Sequence, residues 1–284
     1  MQMETLGPHE LAHVFKQLTD PADIARARAV CRDWRNIMRP PRIDGKPMTN
    51  ILRLSPNAIL EVACRVGSVE LAKYAISHGA TNFNWGLRKA CCGGHIEIAE
   101  LMCELGATCF NKGLYQACEG GHKELANFVI SRGATAFNWG LRGACKGGRK
   151  ETVELMIKHG ATDFDNGFCA ACDGGHKGIV ELMCELGATD FNWGLYRACY
   201  NGHKDIVELM IRHGATYFDN GLYAACYGDH KEIAEFMISC GATDFDWGLY
   251  YACNGGHKDI AKLLGKRAPT VVCSYCGKLA AEHV

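Results

Sequence analysis

The sequence repeats itself with a fixed step of 27 residues, and that step excludes most folds before any other property is weighed. The tripeptide Gly-Ala-Thr begins at Gly79, Gly106, Gly133, Gly160, Gly187, Gly214 and Gly241 without a slip. Ala-Cys keeps the same step and places Cys64, Cys91, Cys118, Cys145, Cys172, Cys199, Cys226 and Cys253. A fixed period of roughly 20–50 residues marks a solenoid, in which one small unit stacks on copies of itself.

Each unit reads F-[ND]-x-G-[LF]-x-x-A-C-x-x-x-[HR], then ten residues, then G-A. In the unit that opens at Phe191, Asn192 is expected to cap a helix, because its side chain can accept an orphan backbone N–H. Asn84, Asn111, Asn138, Asp165, Asp219 and Asp246 hold the same position. Leu195, Ala198 and Cys199 follow at helical spacing on one face, and Asn201-Gly202 breaks that helix. A second helix opens near His203 with Asp205 in its first turn, where the helix dipole favours an acid. Ile206, Val207, Leu209, Met210 and Ile211 form its apolar face, and Gly214 ends it in the left-handed region. Such a unit cannot bury its own apolar face, so it must stack on its neighbours. The fold class expected is all-α, an αα-solenoid of about eight 27-residue repeats preceded by a small helical module.

The segments G-L-x-x-A-C-x-x-G-H and G-H-x-[ED]-[IV]-x-E-L, followed by G-A, resemble the two helices of an ankyrin repeat over about residues 55–264. Ankyrin repeats run about 33 residues. The shortening here falls between Gly-Ala and Leu, where that family carries a projecting hairpin finger, and the family's Thr-Pro-Leu-His turn is missing. The resemblance therefore implies ankyrin-type stacking with trimmed fingers. Trp85, Trp139, Trp193 and Trp247 recur every 54 residues, which suggests that units were duplicated in pairs.

Residues 1–54 do not repeat. Val14, Phe15 and Leu18 are helically spaced, and Ile24, Ala27, Val30, Cys31, Trp34 and Ile37 form one stripe. The run from Asp23 to Trp34 resembles the second half of an F-box without gaps. The first half departs from that family: Gly7 stands where Pro is usual, and Pro8 and Glu10 are each shifted by one. The resemblance implies docking on a Skp-type adaptor of a cullin-RING ubiquitin ligase through Leu6, Pro8, Leu11, Val14, Phe15, Leu18, Ile24, Val30, Cys31 and Trp34. The alternative is a helical cap that shields the first repeat from water. An F-box joined to a nearly uniform ankyrin array also resembles proteins of giant DNA viruses. Arg39-Pro-Pro and Asp44-Gly-Lys-Pro punctuate the join. The division expected is a helical module at 1–41, a linker at 42–54, the array at 55–264 and a tail at 265–284.

Lys plus Arg equals Asp plus Glu at 31 each, so no global basic field exists to attract nucleic acid or a membrane surface. The first residues lack the apolar core of a signal peptide, and no apolar run approaches the roughly 18 residues that span a bilayer. A cytoplasmic or nuclear location follows (host cytoplasm for a viral chain), and the 17 Cys are expected to be thiols rather than a disulfide framework. Equivalent helices of neighbouring repeats sit roughly 8–10 Å apart, too far for shared zinc bonds of about 2.3 Å. The Ala-Cys cysteines therefore read as small buried hydrophobes. Cys169 and Cys172, although spaced C-x-x-C, belong to one unit's apolar stripe. His95, His122, His176, His203, His230 and His257 recur at the start of the second helix, and Arg149 takes the same place, so a loop-bracing hydrogen bond is expected rather than a metal ligand. No phosphate-cradling loop, nucleophile elbow or paired carboxylates occur, and neither an enzyme nor a cofactor is expected. The tail carries Cys273-Ser-Tyr-Cys276-Gly-Lys, which looks like half a zinc knuckle. The expectation is a tail without metal; the alternative is zinc on Cys273, Cys276 and His283, one ligand short of four.

Binding should fall where units differ. After the repeat Leu or Phe stand Arg88, Tyr115, Arg142, Cys169, Tyr196, Tyr223 and Tyr250. After Ala-Cys stand Cys92, Glu119, Lys146, Asp173, Tyr200, Tyr227 and Asn254. The two series are i, i+4 and share a helical face. Trp193, Tyr196, Arg197, Tyr200, Tyr223, Tyr227, Tyr250 and Tyr251 are the expected target-binding residues, because Tyr, Trp and Arg dominate protein interfaces. The alternative is that these rings only stack between repeats. The function expected is an interaction adaptor, a monomer outside its complex, that grips an unknown protein on its concave face. It is either the substrate receptor of a Skp/cullin/F-box ligase or an ankyrin scaffold or competitive inhibitor without that link.

Overall fold

A computed structural model describes residues 42–43, 46–47, 55–267 and 272–278. Sixteen helices run in pairs through 55–267. The first helices are α1 (Pro56–Val66), α3 (Phe83–Gly93), α5 (Phe110–Gly120), α7 (Phe137–Lys146), α9 (Phe164–Gly174), α11 (Phe191–Asn201), α13 (Phe218–Tyr227) and α15 (Phe245–Gly255). The second helices are α2 (Val69–Ser77), α4 (Ile96–Glu104), α6 (Lys123–Ser131), α8 (Lys150–Lys158), α10 (Lys177–Glu185), α12 (Lys204–Arg212), α14 (Lys231–Cys240) and α16 (Lys258–Arg267). Repeats 1 to 8 are these pairs in order. Upstream, β1 (Arg42–Ile43) pairs antiparallel with β2 (Lys46–Pro47), with Arg42 opposite Pro47, in a stretch expected to be bare linker.

The core is one strip repeated eight times. In repeat 6 the first helix contributes Leu195, Ala198 and Cys199, and the second contributes Ile206, Val207 and Met210, all fully buried. Each large apolar side chain so buried contributes about 1.5–3 kcal/mol. Neighbouring repeats meet mainly through their first helices, whereas the second helices scarcely touch one another. A stack packed tightly along one layer and loosely along the other bends toward the tight layer, which puts the first helices on the inner side.

Close approach explains the repeat glycine before Leu. A Cβ on Gly86 would lie 2.6 Å from Met102 Sδ and 3.2 Å from Cys64 Sγ of the preceding repeat. The Ala-Cys cysteine seats against that glycine, so both positions must stay small. Burial pushes the Cys64 and Cys118 thiols up to about 12, and those of Cys172 and Cys199 higher still, which leaves them protonated and inert. Cys169 is likewise raised to about 12 by burial, so the C-x-x-C of repeat 5 has no thiolate character.

The second helix ends as expected. Gly214 has φ +94°, its N–H donates to Ile211 O at 3.0 Å, and Ala215 N–H donates to Met210 O at 3.0 Å. This is a Schellman closure. The four- or five-residue connector then reaches the next Phe without forming a finger.

The capping expectation needs correction. The first helices begin two residues earlier than the repeat Asn/Asp implies, at caps such as Asp163, Asp190 and Asp244, whose carboxylates accept from Asn166, Trp193 and Trp247 N–H. Asn192 lies inside the first turn and accepts instead from the next repeat, from Thr216 N–H at 2.8 Å and Tyr217 N–H at 3.1 Å. Asn84, Asn111, Asn138, Asp165 and Asp219 each bridge in the same way. The recurrent Asn/Asp is a latch between repeats, not a cap within one. Local sequence does not separate the two, because both use an oxygen that accepts backbone N–H groups.

The recurrent His does brace the stack. Nε2 of His95, His122, His203, His230 and His257 meets the carbonyl oxygen of the residue 30 positions earlier, at 2.9–3.2 Å. A carbonyl only accepts, so Nε2 carries the proton. Arg149 makes the equivalent bond from Nε to Glu119 O at 3.4 Å.

Candidate protein-binding site

The inner face changes character along the array. In repeats 1 to 5 it carries ion pairs. Glu61 meets Lys89 at 3.1 Å and Arg65 at 3.2 Å, and Glu119 meets Lys146 at 3.1 Å. The bond to Glu119 holds the Lys146 ammonium above its ordinary pKa. Trp85 lies beneath Arg88 and Lys89 at 4.5 and 4.7 Å, and Tyr115 packs on Trp139 at 5.3 Å.

In repeats 6 to 8 the same positions form a continuous aromatic ladder. Trp193 stacks on Tyr196 at 5.0 Å with planes 4° apart. Tyr196 leads to Tyr200 at 6.5 Å, Tyr200 to Tyr227 across the repeat boundary at 5.5 Å, and Tyr227 to Tyr251 at 5.7 Å. Trp247 and Tyr250 join Tyr251 at 6.2 and 5.3 Å. Tyr275 of the tail meets Tyr250 edge-on at 5.7 Å. Trp193, Tyr227 and Trp247 keep 47%, 46% and 50% of their surface exposed. Burial, then the neighbouring Tyr251 and Tyr200, raises the Tyr196 hydroxyl above its ordinary pKa.

Two expected members have structural partners. Tyr223 is half-buried, and its hydroxyl donates to the Asp244 carboxylate. Burial and that bond together raise its pKa. Arg197 pairs with Asp173 and lies over Trp193 at 5.6 Å, while its buried Nε has no hydrogen-bond partner. All eight expected target-binding residues thus fall on one aromatic surface. Trp247 and Tyr275 pack with them and were not among the expected residues, although Trp247 stands 54 residues after Trp193 at the same repeat position.

The tail expectation changes in one respect. Cys273 and Cys276 converge with Cys253, the Ala-Cys cysteine of repeat 8, with all three Sγ atoms within 4.8 Å of one another. His283 lies outside the described residues. Leu6, Pro8, Leu11, Val14, Phe15, Leu18, Ile24, Val30, Cys31 and Trp34 also lie outside them.

Residues 195–273 match the family model for ankyrin repeats, in three copies. Residues 8–43 match the F-box-like family model. The chain joins an F-box-like segment to ankyrin-type repeats. The crystal structure of the human ASB11 ankyrin repeat domain is similar at 22% identity and a TM-score of 0.42, over 55% of this chain and 84% of that one. None of the curated proteins searched matches this chain. Both matched families are non-catalytic interaction modules. Among the described residues, no helix is long and apolar enough to cross a membrane.

Proposed function

We propose that this chain is an adaptor that grips a protein target on the inner face of its last three repeats and carries it to a Skp-type subunit of a cullin-RING ubiquitin ligase. The observation that carries the proposal is the exposed aromatic ladder from Trp193 to Tyr275 in the same chain as an F-box-like segment. Exposed, mutually stacked rings lose little side-chain freedom on binding and offer large apolar area. Interfaces concentrate their affinity in such residues. Arg197, held by Asp173 and lying over Trp193, supplies a fixed cation beside them.

The adaptor is bound through Leu6, Pro8, Leu11, Val14, Phe15, Leu18, Ile24, Val30, Cys31 and Trp34, and the target through Trp193, Tyr196, Arg197, Tyr200, Tyr223, Tyr227, Tyr250 and Tyr251. This assignment sets the chain to work in the cytoplasm (a host's, for a viral chain) or the nucleus. Co-purification tests the ligase link. A Skp-type adaptor should be recovered with the full chain and lost when Val14, Phe15, Val30 and Trp34 become alanine. If no adaptor is recovered, the chain is a scaffold or competitive inhibitor without a ligase link. Separately, Tyr196→Ala, Tyr200→Ala, Tyr223→Ala and Tyr227→Ala together should abolish target capture with helical content intact. Unchanged capture would remove the target from this face.

A further inference from the structure

Seven of the eight Ala-Cys cysteines are closed over by the next repeat and fully buried; Cys253 has no next repeat and is half-buried. The tail occupies that place. Cys273 is fully buried against the last repeat, with its Sγ 3.8 Å from Leu249 O, and Tyr275 packs on Tyr250. Between them, residues 274–276 form a turn. Gly277 follows at φ +69°, a region costly for any residue with a Cβ. Gly277 N–H donates to Cys273 O at 2.8 Å, and Cys273 N–H donates to Lys278 O at 2.8 Å. A C-x-x-C-G-K loop wrapped in this way brings both of its sulfurs to one point beside the Cys253 sulfur.

We propose that Cys253, Cys273 and Cys276 bind one structural zinc ion that staples the tail onto repeat 8 and closes the open end of the array. Zinc takes thiolates at about 2.3 Å in a tetrahedron, which sets neighbouring sulfurs about 3.8 Å apart. The sulfurs here lie within 4.8 Å of one another, so at most about 1 Å of closing is needed. That movement falls on a short surface loop. On binding, each thiol releases its proton to solvent and forms one Zn–S bond. The fourth position of the tetrahedron goes to water. The arrangement answers a need of the fold, since the last repeat of a solenoid exposes the apolar flank that its neighbours cover elsewhere.

The experiment uses the full chain purified without chelator. Metal analysis should give about one zinc per chain. Exchange for Co²⁺ should produce thiolate-to-cobalt charge-transfer absorption and the intense visible bands of a tetrahedral site. Cys276→Ser, at an exposed position outside the repeats, should lose metal and bands while keeping its helical circular dichroism. Cys253→Ser should lose them too. Cys226→Ser, at the equivalent position of repeat 7, should retain both. A chain that takes up no zinc or cobalt overturns the proposal. So does a Cys276→Ser chain that still shows the cobalt–thiolate bands, or a non-reducing mass that reveals a disulfide among these three cysteines in the presence of zinc.

Discussion

Repeats 1 to 5 and repeats 6 to 8 share a backbone and differ in what they show to a partner. Both halves place Leu or Phe, Ala and Cys in the core, brace the stack from the start of the second helix, and latch each repeat to the next through Asn or Asp. The inner face of the first half pairs Glu61 with Lys89 and Glu119 with Lys146. The inner face of the second half is ring-lined from Trp193 to Tyr251, with Arg197 beside the rings. An ion pair already made offers a partner little, because breaking it costs what a new pair returns. Stacked rings with half their surface exposed keep that surface to give. The proposed recognition surface rests on this contrast between the halves.

The largest effect expected is on capture. Tyr200→Ala with Tyr227→Ala should weaken target binding at least about 30-fold, the equivalent of two interface hot-spot residues at roughly 1 kcal/mol each or more. Glu119→Ala with Lys146→Ala should change it less than about fivefold, since a half-exposed ion pair is worth about 0–1 kcal/mol. A titration of each variant against the captured protein decides the matter. Equal losses from both pairs would erase the distinction between the halves. A stability loss from the tyrosine pair without any loss of capture would mean that the rings serve only the stack.

The next effect concerns the scaffold, where the halves should differ in a subtler way. A Cβ on Gly194 would fall 2.5 Å from Phe168 Cε1, a ring held in the core. A Cβ on Gly140 would fall 2.5 Å from Met156 Sδ, the end of a flexible chain. Overpacking against a rigid neighbour costs about 1–3 kcal/mol, so Gly194→Ala should destabilise by about 2–3 kcal/mol and Gly140→Ala by about 1 kcal/mol or less. Urea unfolding of the two variants measures the difference. The reverse order would show that Phe168 yields more readily than Met156.

Much of this was legible in the sequence, and the reasons are local. The 27-residue step, the Gly-Ala closures and the Leu-Ala-Cys stripe are set by contacts that recur in every unit, so repetition exposes them. The tyrosine face was legible because it varies where everything else repeats. The latch is not legible locally, because its partners lie 24 and 25 residues away and the side-chain chemistry is the same for a cap. The role of Cys253 was hidden for a related reason. Its sequence context matches that of its seven buried counterparts, and only the end of the stack makes it different.

The latch belongs to both halves, which makes it a control on the comparison. Asn111 accepts from Thr135 and Ala136 N–H, and Asn192 from Thr216 and Tyr217 N–H. These bonds are solvent-exposed, so removing the acceptor leaves donors that water can partly satisfy, at about 1 kcal/mol. Asn111→Ala and Asn192→Ala should therefore each lower stability by about 1 kcal/mol, equally in the two halves, in thermal or urea unfolding. A loss at Asn192 alone would tie the latch to the aromatic half instead of to the scaffold.

The smallest effect sits at the boundary of repeats 7 and 8. Asp229 is the one residue other than glycine with positive φ among the described residues, at +63°, in a position that repeats 5 and 6 give to Gly175 and Gly202. In repeat 6 that glycine lets the next histidine lie close, and a Cβ on Gly202 would come 2.5 Å from His230 Cε1. Asp229 instead meets His257 through its carboxylate, with Oδ1 3.3 Å from Nδ1. The left-handed backbone costs a residue with a Cβ about 1 kcal/mol, while an exposed pair of this kind returns a fraction of that. Asp229→Gly also raises the entropy of the unfolded chain, which offsets part of the gain. The net expectation is a stabilisation of about 0.5 kcal/mol, with the His257 ring settling onto the new glycine as His230 does on Gly202. Gly202→Asp should act in the opposite sense and more strongly, because it adds both the backbone strain and the clash with His230. Were Asp229→Gly to destabilise the chain, the carboxylate–imidazole pair would be the dominant contact at that boundary.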